Sequence, residues 1–128
     1  MNTKVRNIGI LILIIDYISY TLTMLINPGL PNKDLLIVNY NNLENTKICD
    51  ICKIVMRKED KIEHCNYCNV CIISIILIYL FIFLGLDHHC QWISKCVGRN
   101  NIKCFYFFVL TTIILLLYLF FGLFYLDK

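Results

Sequence analysis

Seven of the eight cysteines and all three histidines of this chain lie between Cys49 and Cys96. Several of these cysteines form Cys-x-x-Cys pairs, with two residues between them. The rest of the segment shows no sustained period of 2 or 3.6. Zinc takes four thiolate and imidazole ligands, and cysteines two residues apart bind it from one tight turn. The ten cysteine and histidine positions suffice for two zinc sites, with two positions left over. The segment is therefore predicted to be a loop-rich domain that folds around metal.

Two long apolar runs flank this segment. Ile8 to Ile26 gives nineteen positions whose only charge is Asp16, and Phe105 to Leu126 gives twenty-two with none. Each run is long enough to cross a hydrocarbon core of roughly 30 Å as a helix. The sequence therefore predicts a mainly α membrane protein with transmembrane helices at residues 8–26 and 105–126. Because a carboxylate is costly within a span, we expect Asp16 to be functional and to face the bundle interior or water.

The first run has an alternative interpretation as a secretory signal, since Lys4 and Arg6 precede it. The run is long for a signal, and it ends in Asn27-Pro28-Gly29 rather than in a small-residue cleavage site. A membrane span is therefore favoured.

Positive charge is concentrated between the two runs. Lys4, Arg6 and Lys128 lie outside them, and the other cations lie between them, at Lys33, Lys47, Lys53, Arg57, Lys58, Lys61, Lys95, Arg99 and Lys103. The positive-inside rule places the middle segment in the cytosol, where cysteines are thiols or metal thiolates rather than disulfides. The predicted organisation has an N-terminal flank at 1–7, a linker at 27–48 and a cysteine-rich domain at 49–104. The lipid bilayer is the predicted partner, and no nucleic-acid partner is predicted.

Asp87, His88 and Cys90 are of the types that nucleophilic catalysis by cysteine requires. A thiolate attacks, an imidazole removes the thiol proton, and a carboxylate fixes the tautomer and orientation of the imidazole. Spacing alone does not decide which two of the cysteine and histidine positions remain outside the metal sites.

The block from Cys49 to Phe105 resembles the cysteine-rich domain of the DHHC family of protein S-acyltransferases (palmitoyltransferases). Asn27-Pro28-Gly29 also resembles the Asp-Pro-Gly that follows the second transmembrane helix of that family. The resemblance covers just under half of the chain directly, and the flanking spans fit as well. The matching residues are Cys49-Asp-Ile-Cys52, His64-Cys65-Asn-Tyr-Cys68-Asn-Val-Cys71, Asp87-His88-His89-Cys90-Gln-Trp92, Lys95-Cys96-Val97-Gly98, and Asn101 followed by Phe105.

The resemblance implies a ligand set for each of two structural zinc ions. One zinc would be held by Cys49, Cys52, His64 and Cys71, and the other by Cys65, Cys68, His89 and Cys96.

The resemblance also implies a two-step acyl transfer. Cys90 would take a fatty acyl group from an acyl-CoA such as palmitoyl-CoA, with His88 as general base and Asp87 holding His88, and would pass it to a protein cysteine. The expected substrates are membrane-associated proteins with juxtamembrane cysteines, and the expected location is the Golgi or ER membrane, as a multi-pass protein. Three cations near the motif are candidates for contacts with the CoA phosphates, although ordinary positive-inside charges explain them equally well: Lys95, Arg99 and Lys103.

The chain departs from the family pattern between Cys71 and Asp87, where fifteen apolar residues, 72–86, replace a short connection. They cannot form a transmembrane helix if both zinc sites form, because the ligands would then lie on opposite sides of the bilayer. Three interpretations remain: an element lying in the membrane interface, an element packed on the bundle, or translated non-coding sequence, which we favour. In addition, Gln91 and Lys95 replace a proline and an asparagine, and the chain is expected to be a fragment because it has only two spans.

The competing hypothesis is a non-catalytic, membrane-anchored zinc-finger interaction module, or an inactive fragment. In the interaction module, Cys90 would be metal-bound or inert, so acylation of Cys90 discriminates between the two functions. Cys104 lies outside the cysteine array, and inert packing is favoured over its acylation.

Overall fold

The computed structural model describes residues 3–31, 45–58, 62–73 and 89–125. In chain order the elements are α1 (Thr3–Leu25), β1 (Thr46–Ile48), β2 (Val55–Arg57), β3 (Ile62–Cys65), β4 (Val70–Ile73), β5 (His89–Cys90), a 3₁₀ helix (Gln91–Ile93), β6 (Lys95–Cys96) and α2 (Ile102–Tyr125). The chain divides into a helical unit, Met1–Ile26 with Ile102–Lys128, and a cysteine-rich unit, Asn27–Asn101.

Both helices of the helical unit are long and apolar enough to cross a membrane. The most apolar stretch of 18 residues has a mean hydropathy of 2.0 in the helix Thr3–Leu25 and of 2.5 in the helix Ile102–Gly122. Large apolar side chains such as Leu13 and Leu116 are exposed on both helices, as expected of surfaces that face lipid rather than water. The two apolar runs of the sequence therefore correspond to two helices, and each helix begins a few residues before its run.

Asp16 lies at the contact between α1 and α2 and bonds to hydroxyl groups of α2. Thr111 Oγ1 and Thr112 Oγ1 donate hydrogen bonds to Asp16 Oδ1 at 2.9 and 2.8 Å. Ser19 Oγ lies 3.0 Å from Thr111 Oγ1. Lipid offers no partners to polar groups, so such groups within a span bond inside the protein. The structure thus gives Asp16 partners that the sequence did not reveal.

Removing the Thr112 hydroxyl is expected to weaken the pairing of the two helices. Thr112→Val keeps the shape of the side chain and removes the 2.8 Å bond to Asp16. Interhelical hydrogen bonds in membranes contribute about 0.6 kcal/mol on average and at most about 1.7, so the loss of unfolding free energy in detergent should fall in that range. Thr21→Val is the matched control, because Thr21 Oγ1 donates to Tyr17 O within the same helix. Equal effects of the two substitutions would contradict the assignment.

In the described part of the cysteine-rich unit there are three antiparallel two-stranded hairpins, β1–β2, β3–β4 and β5–β6. The sequence indicated a loop-rich domain and a mainly α chain, and it did not indicate these strands. Their lengths of two to four residues explain this, because alternation over so few positions gives no recognisable period. An isolated two-stranded hairpin is marginally stable in water, so the hairpins need further support.

A junction of three backbone segments closes the cysteine-rich unit, and we call it the Pro28–Gly98 junction. Ile73 N donates to Gly29 O at 2.9 Å, and Asn100 N donates to Pro28 O at 3.2 Å. Gly29 has a φ of 108°, which suits glycine, and its N–H donates to Asn27 Oδ1 at 2.9 Å. The Asn-Pro-Gly turn is therefore bonded both to the end of β4 and to the segment after β6.

The predicted apolar insert begins with residues that belong to a strand. Ile72 and Ile73 complete β4, and Ile72 is buried. Residues 74–86, together with Asp87 and His88, lie outside the described residues.

Candidate metal centres and active site

The first group of metal-type ligands joins the β1–β2 turn to the β3–β4 hairpin. His64 lies opposite Cys71 in the register of β3 and β4. The sulfurs of Cys49, Cys52 and Cys71 lie 3.5, 3.3 and 3.8 Å from His64 Nδ1. All four donor atoms lie within 4.8 Å of one another. The structure thus brings together the four residues of the first implied zinc set, and we call them the first tetrad.

The second group joins the β3–β4 turn to the β5–β6 hairpin. His89 lies opposite Cys96 in the register of β5 and β6. His89 Nδ1 is 3.3 Å from Cys68 Sγ and 3.8 Å from Cys96 Sγ, and Cys65 completes the group. These are the four residues of the second implied set, the second tetrad. The β3–β4 hairpin contributes ligands to both tetrads, so metal ions in them would link the three hairpins in a row.

The Cys49–Cys52 and Cys65–Cys68 turns are built in the same way. Cys52 N donates to Cys49 Sγ at 3.4 Å, and Cys68 N donates to Cys65 Sγ at 3.5 Å. The residue after each second cysteine, Lys53 or Asn69, has a φ near the left-handed region, 56° or 54°. This conformation lets its N–H donate to the carbonyl of the first cysteine, at 2.7 and 2.8 Å. Each turn therefore directs two sulfurs toward one point.

Burial and hydrogen bonding shift the pKa values of thiols in both tetrads. Burial, with hydrogen bonds to the sulfurs of Cys49 and Cys52, raises the pKa of Cys71 to about 12. Burial likewise raises the pKa of Cys96. The backbone N–H of Cys52 lowers the pKa of Cys49. Without a metal, the buried thiols of Cys71 and Cys96 therefore hold their protons, and a bound metal must displace those protons.

The two tetrads fit zinc. Ligand distances of about 2.0 to 2.3 Å place the donors of a tetrahedral zinc site roughly 3.5 to 3.8 Å apart, close to the spacing of the nitrogen and sulfur atoms here. All eight cysteines are free of disulfides. Two cysteine and histidine groups that can hold zinc are therefore present, as the sequence predicted.

Cys90, the predicted nucleophile, lies in β5 and belongs to neither tetrad. It is 4% exposed. The 3₁₀ helix that follows it packs Ile93 fully inside and leaves Trp92 87% exposed. The other two predicted catalytic residues, Asp87 and His88, lie outside the described residues.

The three cations predicted to contact CoA lie in different elements. Lys95 faces Cys90 across the β5–β6 hairpin. Arg99 belongs to the Pro28–Gly98 junction, where its N–H donates to Ile73 O at 3.3 Å. Lys103 lies in the first turn of α2, within the helical unit, as does the half-buried Cys104.

Two contacts that support the second tetrad were not evident from the sequence. The ring of Tyr67 stacks on that of His89, with centroids 4.8 Å apart and an interplanar angle of 24°. Asn101, fully buried, donates through Nδ2 to Cys96 O at 3.1 Å and accepts from Gly98 N at 2.7 Å. Asn101 belonged to the matching motif, but no sequence signal assigns it this role of holding the turn after Cys96.

Comparison with known proteins agrees with this arrangement. A model of the DHHC palmitoyltransferase family matches residues 42–127. Palmitoyltransferase ZDHHC9 of Homo sapiens is 47% identical to the chain over 34 residues, which are 27% of this chain and 9% of the relative. Palmitoyltransferase erf2 of Emericella nidulans is 53% identical over 34 residues, 6% of its length. Probable protein S-acyltransferase 7 of Arabidopsis thaliana is 44% identical over 34 residues, 8% of its length. The matching segment is thus a small part of each relative.

Proposed function

Because this chain belongs to the DHHC palmitoyltransferase family, we propose that it is a protein S-acyltransferase, which moves a fatty acyl group from acyl-CoA to a protein cysteine. The observation that carries the proposal is the position of Cys90. It lies between the second-tetrad ligands His89 and Cys96 in sequence, yet the two tetrads leave it out. A metal-only module has no role for a cysteine placed in this way.

Zinc has a structural role in this proposal. The first tetrad would hold one ion and the second tetrad the other. When bound, each ion would supply metal–ligand bonds to its four residues and would thereby fix one hairpin to the next. Cys90 would then be held in a hairpin of defined register, because the adjacent His89 and the cross-strand partner of His89, Cys96, would both be bound to the same ion.

The chemistry proceeds in two steps. In the first, His88 takes the proton of the Cys90 thiol, Asp87 holds His88, and the Cys90 sulfur attacks the thioester carbonyl. The carbonyl carbon bonds to Cys90, its bond to the CoA sulfur breaks, and the CoA thiolate takes up the proton. In the second step His88 takes the thiol proton of a substrate cysteine, and the sulfur of that cysteine bonds to the acyl carbon of acyl-Cys90. The bond between the acyl carbon and the Cys90 sulfur breaks, and the Cys90 thiolate takes up the proton.

The reaction takes place at the membrane surface. The two apolar helices cross the bilayer, and by the positive-inside rule the cysteine-rich unit faces the cytosol, where acyl-CoA is available. Each buried CH₂ of the acyl chain contributes roughly 0.8 kcal/mol, so binding favours long chains such as palmitate. Arg99 and Lys103, with Lys95, are the candidate partners of CoA. The substrates are membrane-associated proteins with juxtamembrane cysteines, and the protein acts as a multi-pass component of Golgi or ER membranes.

The proposal is tested by following the acylation of Cys90. After incubation of the zinc-loaded full chain with palmitoyl-CoA, mass spectrometry should detect one hydroxylamine-sensitive palmitoyl group on Cys90. Cys90→Ala should abolish this adduct and all transfer to a substrate peptide, because no other nucleophile replaces the lost sulfur. Cys104→Ala, the matched control, should keep both. Unmodified Cys90 in a chain that holds two zinc ions would instead favour the non-catalytic zinc module.

A further inference from the structure

The four side chains of the β5–β6 strands lie on two opposite faces of the hairpin. The register pairs His89 with Cys96 and Cys90 with Lys95. Directly paired residues share a face of an antiparallel pair, and successive residues point to opposite faces. His89 and Cys96 both turn toward the second tetrad. Cys90 and Lys95 therefore share the other face.

The connection between the strands fixes this register. Ser94 adopts a left-handed conformation with a φ of 47°, and its N–H donates to Gln91 O at 3.2 Å. Ile93, at 0% exposed, anchors the same short turn in the core. Two constraints therefore hold Lys95 opposite Cys90. The closed turn precedes Lys95, and Cys96, a member of the second tetrad, follows it.

The distance across the pair suits a direct role in the reaction. Cβ atoms of directly opposed residues lie about 4.5 to 5.5 Å apart, and the four-carbon stem of lysine carries its ammonium group beyond this. An acyl carbonyl bonded to Cys90 Sγ would thus come within reach of Lys95 Nζ. Among the three candidate cations, Lys95 is the one that the strand register pairs with Cys90.

We propose that Lys95 is a catalytic residue whose ammonium group donates a hydrogen bond to the oxyanion formed when Cys90 attacks the acyl thioester. The inference rests on the proposed acyltransferase function. As the new carbon–sulfur bond forms, the carbonyl electron pair moves onto oxygen, and Lys95 stabilises this charge without giving up its proton. The electron pair then returns to re-form the carbonyl as the bond to the CoA sulfur breaks.

This role differs from a contact with CoA phosphates. In CoA the long pantetheine arm separates the thioester from the phosphates. A lysine that reaches the carbonyl at Cys90 therefore does not reach the phosphates of an extended CoA, which are left to cations elsewhere, such as Arg99.

Two acyl donors separate these roles. Palmitoyl-CoA carries both the thioester and the phosphates, whereas palmitoyl-pantetheine keeps the thioester and lacks the phosphates. Lys95→Met should lower the single-turnover rate of acyl-Cys90 formation by about 10²-fold with both donors, the usual effect of losing one oxyanion donor. Arg99→Gln should raise KM for palmitoyl-CoA and leave palmitoyl-pantetheine unaffected. A Lys95→Met defect that disappears with palmitoyl-pantetheine would reassign Lys95 to the phosphates, and no defect with either donor would overturn the role.

Controls separate this result from structural damage and from failure of the proposed function. Lys47→Met removes an exposed lysine from the corresponding β1–β2 hairpin and should leave the rate unchanged. Zinc content should remain at two ions per chain in Lys95→Met. Lys95→Gln, which keeps a hydrogen-bond donor, and Lys95→Arg, which keeps the charge, should each recover part of the rate, whereas variants that all equal Lys95→Met would contradict an oxyanion contact. A wild-type chain that forms no acyl-Cys90 would refute the proposed acyltransferase function itself, whatever the results for the variants.

Discussion

Replacing Cys96 with alanine is expected to remove one of two zinc ions and to open Cys90 to alkylation, while the other zinc stays bound. Cys96 is a member of the second tetrad and the cross-strand partner of His89. Cys90, at 4% exposed in the intact fold, lies between them in sequence and belongs to the same hairpin. Zinc content by mass spectrometry and the rate of maleimide labelling at Cys90 measure the two effects.

The size of the effect follows from the construction of the cysteine-rich unit. Its strands are two to four residues long, and two-stranded hairpins of this kind are marginal alone. Structural zinc contributes about 10 to 16 kcal/mol of apparent binding free energy in small domains. The short ladders and the small core that contains Met56 and Ile62 are therefore expected to depend on this free energy. Loss of the second metal should therefore release the β5–β6 hairpin outright.

The two metal sites are expected to differ in their effect on the exposure of Cys90, because the second tetrad has members in the β5–β6 hairpin and the first tetrad has none. Cys52→Ala removes the first tetrad, which joins β1–β2 to β3–β4, and leaves the second tetrad complete. We expect it to lose one zinc with little change in the labelling of Cys90. Cys104→Ala, outside both tetrads, should change neither quantity. Equal exposure of Cys90 in Cys52→Ala and Cys96→Ala would show that the unit unfolds as one body.

The metal ligands illustrate what the sequence can predict. Their spacing indicated two zinc sites, but it did not decide which two of the ten positions remain outside. The division into two sets came from the family resemblance. In the structure, strand alternation explains why Cys90 is outside: in a hairpin that presents His89 and Cys96 to a metal, Cys90 must point the other way.

Other features were not predictable because they depend on contacts between residues distant in sequence. Asp16 is conspicuous in an apolar run, yet its hydroxyl partners are on α2. The Asn-Pro-Gly turn indicated the end of a helix. Its bonds to Ile73 and Asn100 have no local signal, because backbone groups form them whatever the side chains are.

The Pro28–Gly98 junction leads to the second large expected effect, which is that Gly98→Ala strongly destabilises the folded cysteine-rich unit. A Cβ atom on Gly98 would clash with Pro28 O and would lie 2.8 Å from Ile72 Cγ2. A side chain can move aside, but Pro28 O is backbone and accepts the N–H of Asn100 at 3.2 Å. Relief of the clash must therefore open the junction itself.

Opening the junction also disturbs the second tetrad, which is why we expect a large effect. Gly98 N donates to Asn101 Oδ1, and Asn101 Nδ2 donates to Cys96 O. Displacing Gly98 thus shifts the carbonyl of a metal ligand as well as the Asn-Pro-Gly turn. Overpacking costs about 1 to 3 kcal/mol and occasionally more, and the loss of these buried hydrogen bonds adds about 1 to 3 kcal/mol for each group left unsatisfied.

Thermal unfolding followed by zinc release measures this effect, and Gly122→Ala is its control. A Cβ on Gly122 meets only Tyr118 Cε1, at 4.0 Å, among the described residues. Alanine in a helix is favoured over glycine by roughly 0.5 to 1 kcal/mol, so Gly122→Ala should keep both zinc ions and leave the helices as stable or more so. Gly98→Ala should release zinc at a much lower temperature. If the two variants release zinc at the same temperature as the wild type, the backbone of Pro28 can move freely, and the junction does not hold the metal-bound unit together.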